Sequence, residues 1–380
     1  MNSKLSSFVF LLIISLLLFT AVPVLNAQTM VSTVAGTGYF GNTDGTGTEA
    51  SFYYPIACTF YQQDKYILVT TDSNIRKIEY STWTITTLAG SNSQTFADGV
   101  GSNAGFYYAR VIAVTTDNSV AFVSDRDNNR IRRIDISTAT VTTLAGNGTR
   151  GGTNGVGTNA QFNGPFGLAL YPVDNSFLLI TNNNAYTVVK LDISTATVSS
   201  FAGVYRTGSS IDGTGSGATF NYPYGISFHP TGSYAVIADY RNSNIRKITY
   251  PGAVVTTMAG SGARGSTDGT GTEATFNIPI GITIDVYGNY AVVGAFSASN
   301  LRKVVLSTAV VTTFAGIAGT AGSIDGAANV ATFHIPFGVC FSQYDNAVVV
   351  TDYDKLRLLQ GFEPTPTPTG LYLLGRSHQV

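Results

Sequence analysis

Apolar residues along this chain come in short runs rich in Val, Ile, Thr, Tyr and Phe, each cut off by Gly, Pro, Asn or Asp. That pattern marks strands separated by turns. Beyond Ala27 no stretch sustains helical spacing, so the chain reads as all-β. Four strands fill each unit, labelled a to d. Around Pro223, strand a starts at Pro223-Tyr224-Gly225-Ile226, b runs from Tyr234 to Ala238, c from Asn244 to Thr249 and d from Val254 to Met258. Polar turns such as Pro230-Thr231-Gly232-Ser233 and Tyr287-Gly288-Asn289 join a to b.

The unit recurs six times. An Ala-Gly pair closes each d strand, at Ala35-Gly36, Ala89-Gly90, Ala145-Gly146, Ala202-Gly203, Ala259-Gly260 and Ala315-Gly316, a period of 54 to 57 residues. Four-stranded sheets at this period predict a six-bladed β-propeller. The termini predict closure. The last unit, Pro336 to Leu359, has a, b and c but no d; Val31-Ser32-Thr33-Val34-Ala35 is a d strand with nothing before it. Pairing the two completes the sixth blade and leaves no open end.

These residues resemble the NHL-repeat family of propellers. Pro-x-Gly-hydrophobic starts carry the resemblance, together with Val236-Ile237-Ala238-Asp239, Asn242 and Ile245-Arg246, and with Val123-Ser124-Asp125, Asn128 and Ile131-Arg132. It covers roughly residues 30 to 360. The family's usual His after the Asn is absent, blade 5 has Gly294-Ala295, and blade 3 has Thr181-Asn182 with Val188-Val189 in place of Ile-Arg. Six-bladed relatives among lyases and calcium-dependent lactonases place acidic, Asn or His ligands in the channel, and the resemblance leaves a channel-centred enzyme, a lyase, an esterase or lactonase, or a strictosidine-synthase-like hydrolase, as the alternative to a binding module.

Three domains follow: a signal peptide over 1–27, the propeller over 28–361 and a Pro/Thr-rich tail over 362–380 that reads as disordered. Lys4, the apolar Phe8 to Phe19 and the polar break at Asn26-Ala27-Gln28 suit export and cleavage, so the expected location is secreted, with no membrane span after cleavage. An uncleaved N-terminal membrane anchor is the alternative. Net charge of −1 and 11% charged residues exclude the clustered Lys and Arg that nucleic acid demands. A monomer is expected.

Cys58 and Cys340 occupy equivalent segments of the first and last units, which a closed ring makes neighbours. A disulfide and two separate buried thiols are both open, and the thiols are the simpler reading. Asn147-Gly148-Thr149 is a glycosylation sequon.

Motifs present in every blade read as scaffold. Asp-Gly-x-Gly, at Asp44, Asp98, Asp212 and Asp268, offers about one carboxylate per loop, too few for calcium, and reads as a turn in which Asp bonds backbone and Gly takes positive φ. Phe52, Phe106, Phe162, Phe220, Phe276 and Phe333 read as plugs between blades. Arg76, Arg132, Arg246, Arg302 and Arg357 read as partners of aspartates such as Asp125 and Asp239.

A unique site is then expected where blades diverge. Blade 2 replaces Pro-x-Gly with Ala109-Arg110-Val111, blade 6 puts His334 before Pro336, and Tyr54, Tyr108, Tyr222 and Tyr224 surround the channel mouth. Strand direction places the d-to-a and b-to-c loops at one end, the expected binding face. With three histidines in all, no zinc site or Ser-His-Asp set is legible. The sequence thus predicts a non-catalytic recognition scaffold for a protein or glycan, without cofactor or metal.

Overall fold

The computed structural model describes residues 28–362. The segment expected to be a signal peptide and the tail beyond Phe362 lie outside the described residues. Six sheets form a ring, each with strand a innermost and b, c and d following outward in antiparallel order. Alternate residues of every strand face the two neighbouring blades, so strand b is apolar on both sides: Val120–Asp125, Phe177–Asn182, Tyr234–Asp239 and Tyr290–Ala295 are almost wholly buried.

The ring closes as the termini predict. Met30–Ala35 pairs antiparallel with Lys355–Gln360, from Met30 opposite Gln360 to Ala35 opposite Leu356. The seam has further ties. Cys58 and Cys340 form a disulfide with their Cα atoms 5.6 Å apart, so the simpler reading of two separate thiols gives way. Asp64 of blade 1 accepts from Ser342 Oγ at 2.6 Å and from the Gln343 and Tyr344 amides of blade 6, and Tyr80 donates to Asp345 at 2.5 Å.

Each sheet has five strands where four are expected. The connection leaving each d strand crosses to the next blade and lays two residues along its outer edge, as Gly45–Thr46 does beside Ile85 and Thr84. The Asp-Gly aspartate causes this. Asp98 Oδ2 accepts from the Thr143 amide and Oδ1 from the Thr143 hydroxyl, pinning the loop to the edge strand. The position after it must be glycine because a Cβ on Gly99 would meet the Asn103 carbonyl group at 3.0 Å. Positive φ belongs instead to the second glycine, 56° at Gly47. The extra strand covers backbone groups that would otherwise invite edge-to-edge pairing.

The same aspartate meets a buried arginine. Arg132 donates to Asp98 at 2.6 Å, Asp125 at 2.7 Å and the Ala97 and Gly105 carbonyls, and lies 5.2 Å from the Phe106 ring centroid. Five blades repeat the contact to the Asp-Gly carboxylate. Blade 3 has Val189 where the others have arginine, and its loop carries Asn154 in place of Asp. The carboxylate therefore serves the arginine as well as the turn. The six phenylalanines are fully buried, as scaffold residues should be.

Candidate functional site

Strand a meets the next blade through its Pro-x-Gly start. A Cβ on Gly225 would lie 2.6 Å from the Ile280 carbonyl, and one on Gly167 would lie 2.4 Å from that of Tyr224. Glycine thus lets consecutive inner strands close up around the channel. A strand-b hydroxyl often completes the joint: Thr181 takes the Gly167 amide at 2.7 Å and donates to the Tyr224 carbonyl at 2.5 Å. Thr70, Ser124 and Thr351 do the same for their blades.

The x residues, Ile56, Arg110, Phe166, Tyr224, Ile280 and Phe337, form a ring at the loop-rich end of the channel. Phe166 packs on Tyr224 with centroids 4.3 Å apart, and Tyr240 stacks on the other side of Tyr224 at 4.5 Å. Phe166 and Ile280 pack there with Tyr224, Tyr240 and Phe337 as one apolar cluster. The channel holds about 330 Å³ and its lining extends to the a-to-b turns of Val286 and Gln343. Its lining is Ile, Val, Leu, Phe, Ala and Gly, with Thr59, Ser227, Thr283 and Gln343 as the polar side chains apart from the cystine. Ser227 and Thr283 are already committed to backbone partners. No carboxylate, imidazole or asparagine lines it, so the lining does not suit the metal ligands or acid–base groups of a channel-centred lyase or lactonase. Among the described residues no three His, Cys, Asp or Glu cluster as a metal would require.

Tyr54, Tyr108 and Tyr222 occupy equivalent positions, each just before strand a. All three take left-handed backbone, with φ of 51°, 57° and 57°. That conformation is uncommon for bulky residues, and here it turns the chain from the loop into the channel wall. Arg110 lies with its guanidinium carbon 4.6 Å from the Tyr108 ring and 5.8 Å from Phe166, and its Nη1 is 3.7 Å from Asp72 Oδ1. Burial lowers the Arg110 pKa, with Asp72 opposing the shift; burial also pushes the Asp72 carboxyl up to about 6 against the pull of Arg110. Tyr224 is raised by burial too.

The other candidates gather elsewhere on this face. Tyr54 and His334 both pack on Tyr353, at 5.6 and 4.0 Å, beside Phe40 and Tyr53. Burial and the bond to Tyr353 raise the Tyr54 pKa. Tyr222 pairs with Tyr186 at 4.7 Å beneath Arg241. Asn147 is exposed, its Oδ1 accepting from the Thr149 amide.

No protein-family model matches the sequence. Two curated relatives are each named NHL repeat-containing protein 2: one from Bos taurus, 24% identical over 67% of this chain and 39% of that one, and one from Homo sapiens, 23% identical over the same shares. The chain folds as a six-bladed β-propeller and is similar in sequence to these NHL-repeat proteins. The chloroplastic protein SUPPRESSOR OF QUENCHING 1 of Arabidopsis thaliana is 26% identical over 72% of this chain and 26% of its own length. The chain therefore spans about a quarter to two-fifths of the curated relatives it matches. Among solved structures, an auxiliary nutrient binding protein from Bacteroides thetaiotaomicron superposes with a TM-score of 0.67 at 19% identity, over 87% of this chain and 76% of that one. A gluconolactonase from Xanthomonas campestris superposes with a TM-score of 0.54 at 10% identity, over 88% and 94%. At these identities the likeness is one of fold.

Sequence reasoning missed Asp72 as a neighbour of Arg110. The signal was present. Seven positions separate Val69 from Arg76 in blade 1, and nine separate Val123 from Arg132 in blade 2 (76 − 69 and 132 − 123). The shortened b-to-c turn, held by the Thr71 amide on the Asn74 carbonyl, brings Asp72 to the mouth.

Proposed function

We propose that this propeller is a non-catalytic recognition scaffold, exported or surface-associated, which binds a protein or glycan through its loop-rich face. The observation that carries this reading is the composition of that face. Tyr39, Phe40, Tyr53, Phe96 and Tyr205 are exposed there, and Tyr54, Tyr108, Tyr222 and Arg110 are half-buried among them. Tyrosine, tryptophan and arginine dominate recognition energetics because they give large contact areas and fixed hydrogen bonds at modest entropic cost. The rigid blades hold those loops still, and the binding role named for the Bacteroides neighbour is compatible with such a surface. Export rests on the apolar N-terminal segment alone.

The rival reading is an enzyme working from the channel, motivated by the open 330 Å³ cavity and by the gluconolactonase that shares the fold. Its lining supplies no acid, base or metal-binding set. The deciding experiment applies purified protein to printed protein and glycan arrays beside a Tyr54→Ala/Tyr222→Ala variant. Saturable binding that the double variant weakens at least about tenfold supports the face assignment. Absence of saturable binding to either array ends it, and lactonase or esterase turnover would promote the rival.

A further inference from the structure

Five buried arginines in this molecule bind protein partners through their terminal Nη groups; a sixth does not. Arg76, Arg132, Arg246, Arg302 and Arg357 each donate to a carboxylate within 2.8 Å and to at least one carbonyl. The Arg110 side chain is only 14% exposed, yet its guanidinium makes no hydrogen bond to any described residue. Asp72, 5% exposed, likewise receives none on its carboxylate, and the 3.7 Å between the two is an ion pair too long to be a hydrogen bond. The Arg110 Nε is fully buried without a partner, and the Nη groups and the Asp72 oxygens, at the mouth, have hydrogen-bonding capacity that no protein group takes up.

Both residues stand where the repeat breaks. Arg110 belongs to the single Pro-x-Gly start that is rewritten throughout, as Ala109-Arg110-Val111, and Asp72 to the shortened turn of blade 1. Their backbones touch, since the Ala109 amide donates to the Asp72 carbonyl at 3.3 Å. Arg126 and Asp127, paired at 2.7 Å, flank them, so positive and negative charges balance around the mouth. Tyr107 and Tyr108, stacked at 5.2 Å, lie to one side, and Tyr224 with Phe166 and Tyr240 to the other.

We propose that Arg110 and Asp72 are the polar centre of a binding site for a neutral saccharide. The proposal rests on the loop-rich face being the recognition surface and names its ligand class. A vicinal pair of sugar hydroxyls accepts from the Arg110 guanidinium and donates to the Asp72 carboxylate, meeting both sets of vacant positions at once. An anion would face Asp72 and Asp127, and a cation would face Arg110 and Arg126. A neutral polyol meets neither repulsion. The C–H face of the ring packs on the aromatic groups beside the pair.

The test is a printed array of neutral and uronic-acid oligosaccharides, read with the whole chain, with Arg110→Leu, with the near-isosteric Asp72→Asn, and with Val173→Ala, exposed in an a-to-b turn at the opposite end, as a control. Neutral glycans are expected to bind the unmodified protein and the Val173 variant alike. Arg110→Leu is expected to lose at least about tenfold, the usual effect of removing hydrogen bonds from a charged donor. Asp72→Asn, which leaves Arg110 without a counter-charge, is expected to shift preference from neutral to acidic glycans, a change in selectivity that misfolding cannot mimic. Neutral-glycan binding equal in all four proteins overturns this site but leaves the recognition face standing, as does capture on a protein array alone. No saturable binding on either array overturns both.

Discussion

Arg132 Nη2 lies 2.6 Å from Asp98 Oδ1 while its Nη1 lies 2.7 Å from Asp125 Oδ2, so one buried guanidinium joins an exposed outer loop to a fully buried carboxylate. Arg302 has only the first of these contacts, to Asp268 at 2.8 Å, because Ala295 stands where Asp125 stands in blade 2. Two otherwise equivalent arginines thus hold different electrostatic debts.

Replacing them separates the two roles. Arg132→Leu strands the Asp125 carboxylate in the core and is expected to cost about 3–5 kcal/mol. Arg302→Leu strands no buried charge and is expected to cost about 1–3 kcal/mol. Denaturant unfolding at neutral pH measures both. Burial already pushes Asp125 up to about 6 with Arg132 in place, and losing the arginine raises it further. The Arg132 penalty should therefore shrink as the solution is acidified from above toward that value, and level off below it, where both native states hold the proton. Equal costs at every pH would refute the assignment.

Closure by the first described strand predicts a large effect from a small deletion. Val31 is 1% exposed and packs with Tyr290, Phe333, Val350 and Leu359. A chain starting after Gly36 loses that contact and the pairing with Lys355–Gln360, and is expected to melt at least about 10 °C lower, since a few kcal/mol shifts the midpoint of a domain this size by that much. Unchanged melting would mean that the sixth blade does not depend on the strand.

The disulfide predicts sensitivity to reductant. Cys58 and Cys340 are separated by 282 residues, so the cross-link removes much freedom from the unfolded chain. Reduction, or a Cys58→Ser/Cys340→Ser double change, should cost about 2–5 kcal/mol. Melting with and without dithiothreitol checks it, with the double variant expected to be insensitive.

Asp72 predicts a pH signature at the mouth. Its carboxyl is pushed up to about 6 by burial, above the ordinary value near 4. Between those values the native state holds a proton that the unfolded chain has released, so this group's contribution to stability falls as pH rises through the window. Carboxyl-carbon NMR should find a titration near 6, and Asp72→Asn should remove that part of the slope. Arg110→Leu should move the titration upward, because the guanidinium is what restrains it. A midpoint near 4 in the unmodified protein would contradict the burial.

Period, strand alternation and the split last blade were readable because they are local or periodic: turn residues, two-residue alternation and a 54- to 57-residue repeat need no knowledge of which blade touches which. For the same reason Phe52 and its five counterparts were legible as core, and Arg110 as an exception worth marking. Pairing across the ring was another matter. The fifth strand arises when a loop from one blade meets the d strand of the next, and Asp72 reaches Arg110 only because two sheets face each other at a fixed angle. The apolar cluster of Phe166, Ile280, Tyr224 and Phe337 likewise depends on strands of different blades meeting around one channel. Composition and periodicity determine what each blade is; the ring decides which side chains share a space, because those contacts join residues tens to hundreds of positions apart that only closure brings together.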